Sequence, residues 1–164
     1  MYITLEEYSN LYDPIEEKTF NRLAFDACRV MDQHTTGIDN VKKLRQFMPT
    51  DEVGAAAVMH CAAKLINILY QIQEAESAAA LSRGYTQTDQ GLQRRVISRV
   101  EAGNEAISYS DAKLSSTVID TAVSDETAKN SLLKNTVLEY FAGVEDANGV
   151  NLLYMGPYPR RCLC

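Results

Sequence analysis

Apolar residues recur at three- and four-residue spacing through most of the chain, which is the pattern of amphipathic helices. Near the N-terminus, Thr4 and Glu7 have the spacing of a capping box and predict a short first helix. Asp13-Pro14 predicts the start of a second helix, because aspartate caps free backbone N–H groups and proline suits the first helical position. We expect this second helix to end near Gly37.

The middle of the chain carries the longest helical pattern. A short helix is expected over residues 41–48, where Pro49 stops it. A long helix then runs from Asp51 to about Ser82, with large apolar residues on most faces of its first half, so we expect burial on more than one side. At about 1.5 Å per residue it reaches on the order of 45 Å, more than a compact domain of this size needs.

After this helix the pattern changes to alternation. Residues 94–100 and 106–110 each alternate between two faces, and Gly103-Asn104 lies between them, which predicts a β-hairpin. One isolated hairpin is marginally stable in water and needs a partner surface. Residues 116–123 fit either an irregular helix or a loop.

The C-terminal part combines a last helix with an apolar tail. Residues 124–126 open the helix, and Gly143 stands where a helix-ending glycine belongs. Residues 148–159 are apolar and aromatic with two prolines, so they cannot be helical throughout. They are also too apolar to be stable in solvent, which predicts that they dock on a surface.

These elements predict a mainly α protein. We expect a small helical bundle over residues 1–147, an inserted β-hairpin or loop at about 84–110, and an extended C-terminal docking arm over residues 148–164. The chain has 164 residues, 46% of them hydrophobic and 23% charged, values that suit one soluble domain with a real core.

Charge and cysteine content limit the classes of ligand and the cellular compartment that we expect for this protein. The net charge of −6 argues against a general nucleic-acid clamp, which needs Lys and Arg to displace counterions from phosphate. The first ten residues lack the basic and apolar parts of a secretory signal, and four irregularly spaced cysteines fit a reducing compartment. The polar residues His60, Lys64 and Asn67 interrupt the longest apolar stretch of the chain, so we expect no membrane span. Together with the cysteine content and the lack of a signal pattern, this predicts a cytoplasmic origin.

The sequence contains few residue patterns that are typical of a catalytic site or a metal site. His34 and His60 lie on different predicted helices with no nucleophile pattern nearby, which favours structural roles over general-base catalysis. Cys162 and Cys164 could join the other cysteines and the histidines in a zinc site, but their spacing does not match the usual pairs. We therefore expect no enzyme, no catalytic residue, no metal and no cofactor.

Basic side chains cluster at two places and leave two interpretations open. Arg94, Arg95 and Arg99 lie on the predicted hairpin, and Arg160-Arg161 lie in the tail. Such side chains either contact phosphate or keep an exposed strand edge solvated.

Three features lack a partner within one chain: an overlong helix, a solitary hairpin and an aromatic tail. Each would be buried if copies stood side by side, and the tail could dock into another protein as an extended segment. Head-to-tail contacts of this kind close into a ring if the rotation permits. The sequence therefore indicates an assembly subunit, with an ordinary helical monomer and a loose tail as the alternative.

Three segments, in this order, resemble a known family. They are residues 20–27 (FNRLAFDA), residues 96–109 (VISRVEAGNEAISY) and residues 140–156, which begin YFAG and end NGVNLLYMG. Together they resemble the head–tail adaptor, or head-completion, proteins of long-tailed double-stranded-DNA bacteriophages and related prophages.

The resemblance implies a structural homo-oligomer, a ring of usually twelve copies bound beneath the portal protein and above a stopper or tail-terminator protein. The ring would extend the channel through which genomic double-stranded DNA leaves the head. An acidic wall suits this role because it does not hold the phosphates tightly. The chain would be made in the cytoplasm of the bacterial host and would act in the neck of the virion.

The resemblance also implies two functional segments. The arm would engage the portal or the adjoining ring through Val150, Asn151, Leu152, Leu153, Tyr154, Met155 and Tyr158. The hairpin would face the channel or a neighbouring subunit with Arg95, Arg99, Gly103, Asn104 and Glu105. Because the arm would add little to the core, we expect truncation after Gly149 to leave the helical domain folded.

Two other functions remain open from the sequence. One is a helical protein-interaction module, a regulator or scaffold unrelated to virions, that uses the tail as a recognition segment. The other is a small hydrolase with His34 or His60 as its base.

Overall fold

The computed structural model describes residues 1–81, 84–88, 91–100, 107–110 and 118–159. Helices dominate this part of the chain, so the prediction of a mainly α fold is confirmed. The elements are α1 (Leu5–Ser9), α2 (Glu17–Thr35), α3 (Lys43–Gln46), α4 (Glu52–Leu81), β1 (Gly84–Thr88), β2 (Gly91–Val100), β3 (Ile107–Ser110), α5 (Val118–Ser124) and α6 (Glu126–Phe141).

The chain forms two compact units. The first, called here the helical unit, contains Met1–Tyr70 and the described residues from Asn130 onward, and the second lies within Gln71–Lys129. Both divisions fall inside helices, one in α4 and one in α6. The boundary expected between residues 147 and 148 is therefore wrong, because the chain on both sides of it belongs to the helical unit.

The first two helices begin differently from each other. The capping box of α1 is present as predicted, because the Thr4 hydroxyl accepts from the Glu7 N–H at 3.3 Å and Glu7 accepts from the Thr4 N–H at 2.7 Å. The second helix begins at Glu17 rather than at Asp13-Pro14, and no side chain caps it.

Aromatic packing lies between these two helices. The Tyr8 ring is 5.5 Å from the Tyr12 ring and 5.7 Å from the Phe20 ring, which joins α1 to the first turn of α2. We attribute the late start of α2 to this packing, because tertiary contacts override a local capping preference.

The core of the helical unit comes from apolar faces with helical spacing. Burial of one large apolar side chain contributes about 1.5–3 kcal/mol, so these faces are the main stabilising element of the unit. The buried residues are Phe20, Leu23, Ala24, Ala27 and Met31 of α2, Val58, Cys61, Ala62, Leu65 and Ile66 of α4, and Leu133, Val137 and Phe141 of α6.

Helix α4 spans the range predicted for it to within one residue at each end. By length and composition, its stretch Glu52–Ser77 could cross a membrane, and an 18-residue part of it has a mean hydropathy of 1.5. However, 44% of that 18-residue part is buried inside the protein, and Val58, Leu65 and Ile66 have no exposed surface. The burial supports the prediction of a core helix.

The second unit contains a three-stranded antiparallel sheet in the order β1-β2-β3. The predicted hairpin is present as β2 and β3, paired from Val96↔Ser110 to Val100↔Ile107, with an irregularity between Ile97 and Arg99. Strand β1 pairs with the first half of β2 and was not predicted, because its polar sequence GYTQT lacks an apolar alternation. Of the ambiguous residues 116–123, those from 118 to 123 lie in helix α5, and residues 116 and 117 lie outside the described part of the chain.

Candidate functional site: the docked C-terminal segment

Residues 144–158, called here the C-terminal segment, begin with a tight polar loop. The Asp146 N–H donates to the Val150 carbonyl at 2.8 Å, and the Leu152 N–H donates to the Val144 carbonyl at 2.9 Å. One oxygen of the Asp146 side chain accepts from the Val150 N–H at 3.0 Å, and Gly149 supplies the positive φ of 75° that the turn needs. This Asp-Ala-Asn-Gly sequence is typical of a turn built on side-chain acceptors.

Leucine 152 anchors the segment in the core of the helical unit. Its side chain has no exposed surface, and its place in the chain follows directly after the loop. The arm expected from the sequence is thus not a free extension. The apolar pattern correctly indicates that part of the tail is buried, but it cannot distinguish the chain's own core from a partner's surface.

A buried lysine holds the next part of the segment. Lys43 of α3 is only 1% exposed, and its Nζ donates to the Asn151 carbonyl at 3.2 Å and to the Tyr154 carbonyl. Burial lowers the pKa of Lys43, while the carboxylates of Asp146 and Asp39 act in the opposite direction. The ammonium group donates to the Tyr154 carbonyl and adds a second donor to the Asn151 carbonyl, which also accepts from the Tyr154 N–H at 3.0 Å.

Tyr158, the last residue of the C-terminal segment, is held by hydrogen bonds and by ring stacking. Its hydroxyl donates to Asp146 at 2.6 Å, and its backbone N–H donates to the Asp39 side chain at 2.6 Å. Its ring stacks on Phe47, with centroids 4.9 Å apart. The Tyr158 N–H stabilises the Asp39 carboxylate and is the main reason that the pKa of Asp39 lies below its ordinary value.

The connection between α2 and α3 contacts the backbone of the C-terminal segment closely. The Ile38 N–H donates to the Met155 carbonyl at 3.0 Å. A Cβ atom on Gly37 would lie 2.8 Å from the Gly156 carbonyl oxygen, so only glycine allows this approach without a shift of the backbone.

The predicted arm residues therefore divide into two classes. Leu152 is buried, and Val150, Asn151, Leu153 and Tyr158 are half-buried against their own unit. Tyr154 and Met155 remain 44% and 49% exposed, and the neighbouring Ile38 is 75% exposed. We call Ile38, Tyr154 and Met155 the C-terminal patch, since these are the large apolar side chains that this region still presents to solvent.

The predicted hairpin residues are only partly described. Arg95 and Arg99 lie on β2, where Arg95 pairs with Gly84 and Arg99 with Ser108. Gly103, Asn104 and Glu105 lie outside the described residues, as do Arg160, Arg161, Cys162 and Cys164.

The two histidines lie on different helices and differ in burial. His34 of α2 is half-buried, and its pKa lies below the ordinary value because of burial and, second, the charge of Lys134. His60 is exposed on α4. Within the described residues, no three His, Cys, Asp or Glu side chains come together in a way that could hold a metal ion.

The cysteines of the helical unit are enclosed. Cys28 and Cys61 are both buried free thiols, and burial raises the pKa of Cys61 to about 12. A thiol in that environment stays protonated near neutral pH and is a poor nucleophile.

The residues that hold the C-terminal segment were not found in the sequence. The Asp-Ala-Asn-Gly turn could have been recognised from its composition, and with it the role of Asp146. Nothing local marks Lys43, because its acceptors come from residues more than a hundred positions later. Asp39 accepts locally from the Val41 N–H, but its contact with the Tyr158 N–H spans 119 positions and could not be found from spacing.

Comparison with known proteins found no family model, no curated protein and no solved structure that matches this chain.

Proposed function

We propose that this chain is a ring subunit in the neck of a long-tailed double-stranded-DNA bacteriophage. It binds beneath the portal, extends the DNA exit channel and offers a docking surface to stopper or tail proteins. The proposal starts from the resemblance of residues 20–27, 96–109 and 140–156 to head–tail adaptor proteins. The structural observation that carries it is a small sheet with incomplete edges, inserted in sequence between the two parts of the helical unit.

The central strand of this sheet has one partner along each half. β1 pairs with Gly91–Arg95, and β3 pairs with Val96–Val100. Within the described strands, each half of β2 therefore has a second edge whose N–H and C=O groups have no strand partner. Such edges accept further strands from other chains, and this is the contact that copies standing side by side in a ring would supply.

The C-terminal patch takes the docking role that the sequence assigned to a free arm. Leu152 cannot contact a portal protein while it fills the core of its own unit, whereas Ile38, Tyr154 and Met155 can. Aromatic residues and methionine are enriched at the centres of protein interfaces. We therefore assign portal contact to the patch.

Assembly with the portal tests the proposal. Light scattering of the purified chain, alone and with a portal protein from the same source, is expected to show a closed oligomer that binds the portal. A chain that stays monomeric and does not bind the portal would contradict the adaptor function and favour an interaction module unrelated to virions.

The docking role of the patch is tested by Met155→Asp, which places a charge in a contact that must exclude water. We expect loss of portal binding with unchanged helical content by circular dichroism. Leu138→Asp is the matched control, because Leu138 is a partly exposed apolar residue on α6 and 39% exposed. Equal portal binding by both variants would contradict the assignment.

A further inference from the structure

A basic stripe with one exposed aromatic residue runs along the outer face of α2. Lys18, Arg22, Phe25 and Arg29 follow one another at intervals of four, three and four residues, so they share one face of the helix. All four are exposed, with Phe25 at 67% and the Arg29 side chain at 72%. We call these four residues the α2 stripe.

The composition of the stripe is that of an interface centre. Arginine and aromatic residues are the types most enriched at the points of an interface that carry its binding energy. The stripe carries three basic residues on a chain whose net charge is −6, and one of them, Arg29, lies 3.7 Å from Asp26. A surface that offers acidic groups next to apolar side chains would complement the stripe in both charge and apolar contact.

The same chain presents such a surface where α4 begins. Asp51 and Glu52 are exposed there, and they are flanked by two exposed apolar residues, Val53 at 79% and Met48 at 39%. One Asp51 oxygen accepts from the Gly54 N–H at 2.6 Å, which fixes the backbone of this corner. We call residues 48–53 the α4 corner.

We infer that the α2 stripe of one copy docks on the α4 corner of the next copy in the ring. Phe25 packs on Val53 and Met48, and the basic side chains lie against Asp51 and Glu52. Because the two surfaces are different and both are exposed in a single copy, the contact is head-to-tail and repeats from copy to copy, and it closes into a ring if the rotation between copies permits. This inference depends on the proposed ring function and specifies its subunit contact.

A second copy fits the stripe better than duplex DNA does. DNA phosphates would pair with Lys18, Arg22 and Arg29, but a phosphate backbone gives the Phe25 ring no apolar surface to pack against. The α4 corner supplies both the negative charge and the apolar contact.

Two charge-reversal variants test the contact. The stripe variant carries Lys18→Glu and Arg29→Glu, and the corner variant carries Thr50→Lys and Glu52→Lys, which leaves the Asp51 cap in place. Each variant alone is expected to associate with itself at least about tenfold more weakly than the wild type in light scattering, because like charges then face each other. Phe25→Ala is expected to weaken association by about tenfold as well, through lost apolar contact.

Mixing the two variants is the decisive measurement. In an equimolar mixture the native corner of the stripe variant meets the native stripe of the corner variant, and the two reversed surfaces meet each other, so association is expected to recover. Lys42→Glu with Lys134→Glu is the matched control, because it makes the same change in net charge on exposed residues outside the stripe.

Four results would overturn the inferred contact. Undiminished association of either variant alone, or no recovery on mixing, would contradict it while leaving the ring function standing. Loss of duplex-DNA binding by the stripe variant with unchanged self-association would make the stripe a phosphate surface instead. A wild-type chain that is monomeric both alone and with portal would overturn the contact and the proposed function together.

Discussion

Lys43 shows how much a single side chain can determine in this protein. It is a charged residue in the core, and it is retained there because two carbonyls of the C-terminal segment surround its ammonium group. Removal of this donor takes the Lys43 hydrogen bond from the part-buried Tyr154 carbonyl, whereas the Asn151 carbonyl keeps the Tyr154 N–H as a donor. An acceptor left without a donor costs more than the hydrogen bond itself contributes.

Replacement of Lys43 by methionine is therefore expected to destabilise the helical unit by about 2 kcal/mol. Methionine keeps the length of the side chain but cannot donate to the Asn151 and Tyr154 carbonyls. Urea unfolding followed by circular dichroism measures the change, with the exposed neighbour Lys42→Met as control. Equal unfolding midpoints for the two variants would contradict the role given to Lys43.

A pH effect is expected from His34. Its pKa in the folded state lies below the ordinary 6.5 because burial disfavours the charged form. The unfolded chain binds the proton more tightly, so the contribution of His34 to stability is complete above pH 6.5 and is lost as the pH falls through the folded-state value.

Thermal unfolding at about pH 7.5 and about pH 5 measures this effect. The wild type is expected to lose more stability on acidification than His34→Gln does, whereas the exposed His60→Gln should behave like the wild type. A His34→Gln variant with the full acid sensitivity of the wild type would show that other groups titrate in this range.

Residue-level prediction succeeded where the cause is local. Thr4 and Glu7 are three positions apart and satisfy each other, so their spacing is enough to identify the cap. Asp13-Pro14 has an equally good local pattern and failed, because the packing of Tyr8 on Phe20 lies outside what spacing can report.

At the level of elements, the C-terminal segment is part of the helical unit rather than an appendage. It contributes a fully buried leucine, the acceptors of Lys43 and the tyrosine that stacks on Phe47. The type of secondary structure could be predicted from the spacing of apolar residues for α2, α4 and the β2–β3 pair. The surface against which an apolar segment packs could not be predicted, because that surface is formed by residues far away in the chain.

Truncation after Gly149 is now expected to destabilise the helical unit, contrary to the expectation from sequence. The loss of Leu152 alone removes about 1.5–3 kcal/mol of burial, and Lys43 loses both acceptors as well. We expect a decrease of about 3 kcal/mol or more in the free energy of unfolding, measured in urea.

A chain ending at Pro159 is the control for this truncation, because it keeps every contact that the structure describes for the C-terminal segment. If truncation after Gly149 left stability unchanged, the segment would be an appendage after all.

The whole molecule combines an acidic surface with one very apolar helix. The burial of Val58, Leu65 and Ile66 means that α4 presents much of its apolar surface to the protein and not to solvent. In detergent phase separation, we therefore expect the native chain to stay in the aqueous phase, and to move to the detergent phase only after heat unfolding. Partition of the native chain into detergent would indicate that α4 inserts into a bilayer.

The division of the helical unit between Met1–Tyr70 and the chain from Asn130 onward also matters during synthesis. Domains generally fold as they emerge from the ribosome, starting from the N-terminus. Here the first seventy residues leave the ribosome without α6, without Leu152 and without the carbonyls that accept hydrogen bonds from Lys43. We therefore expect the helical unit to complete its core only after the residues up to Tyr158 have left the ribosome.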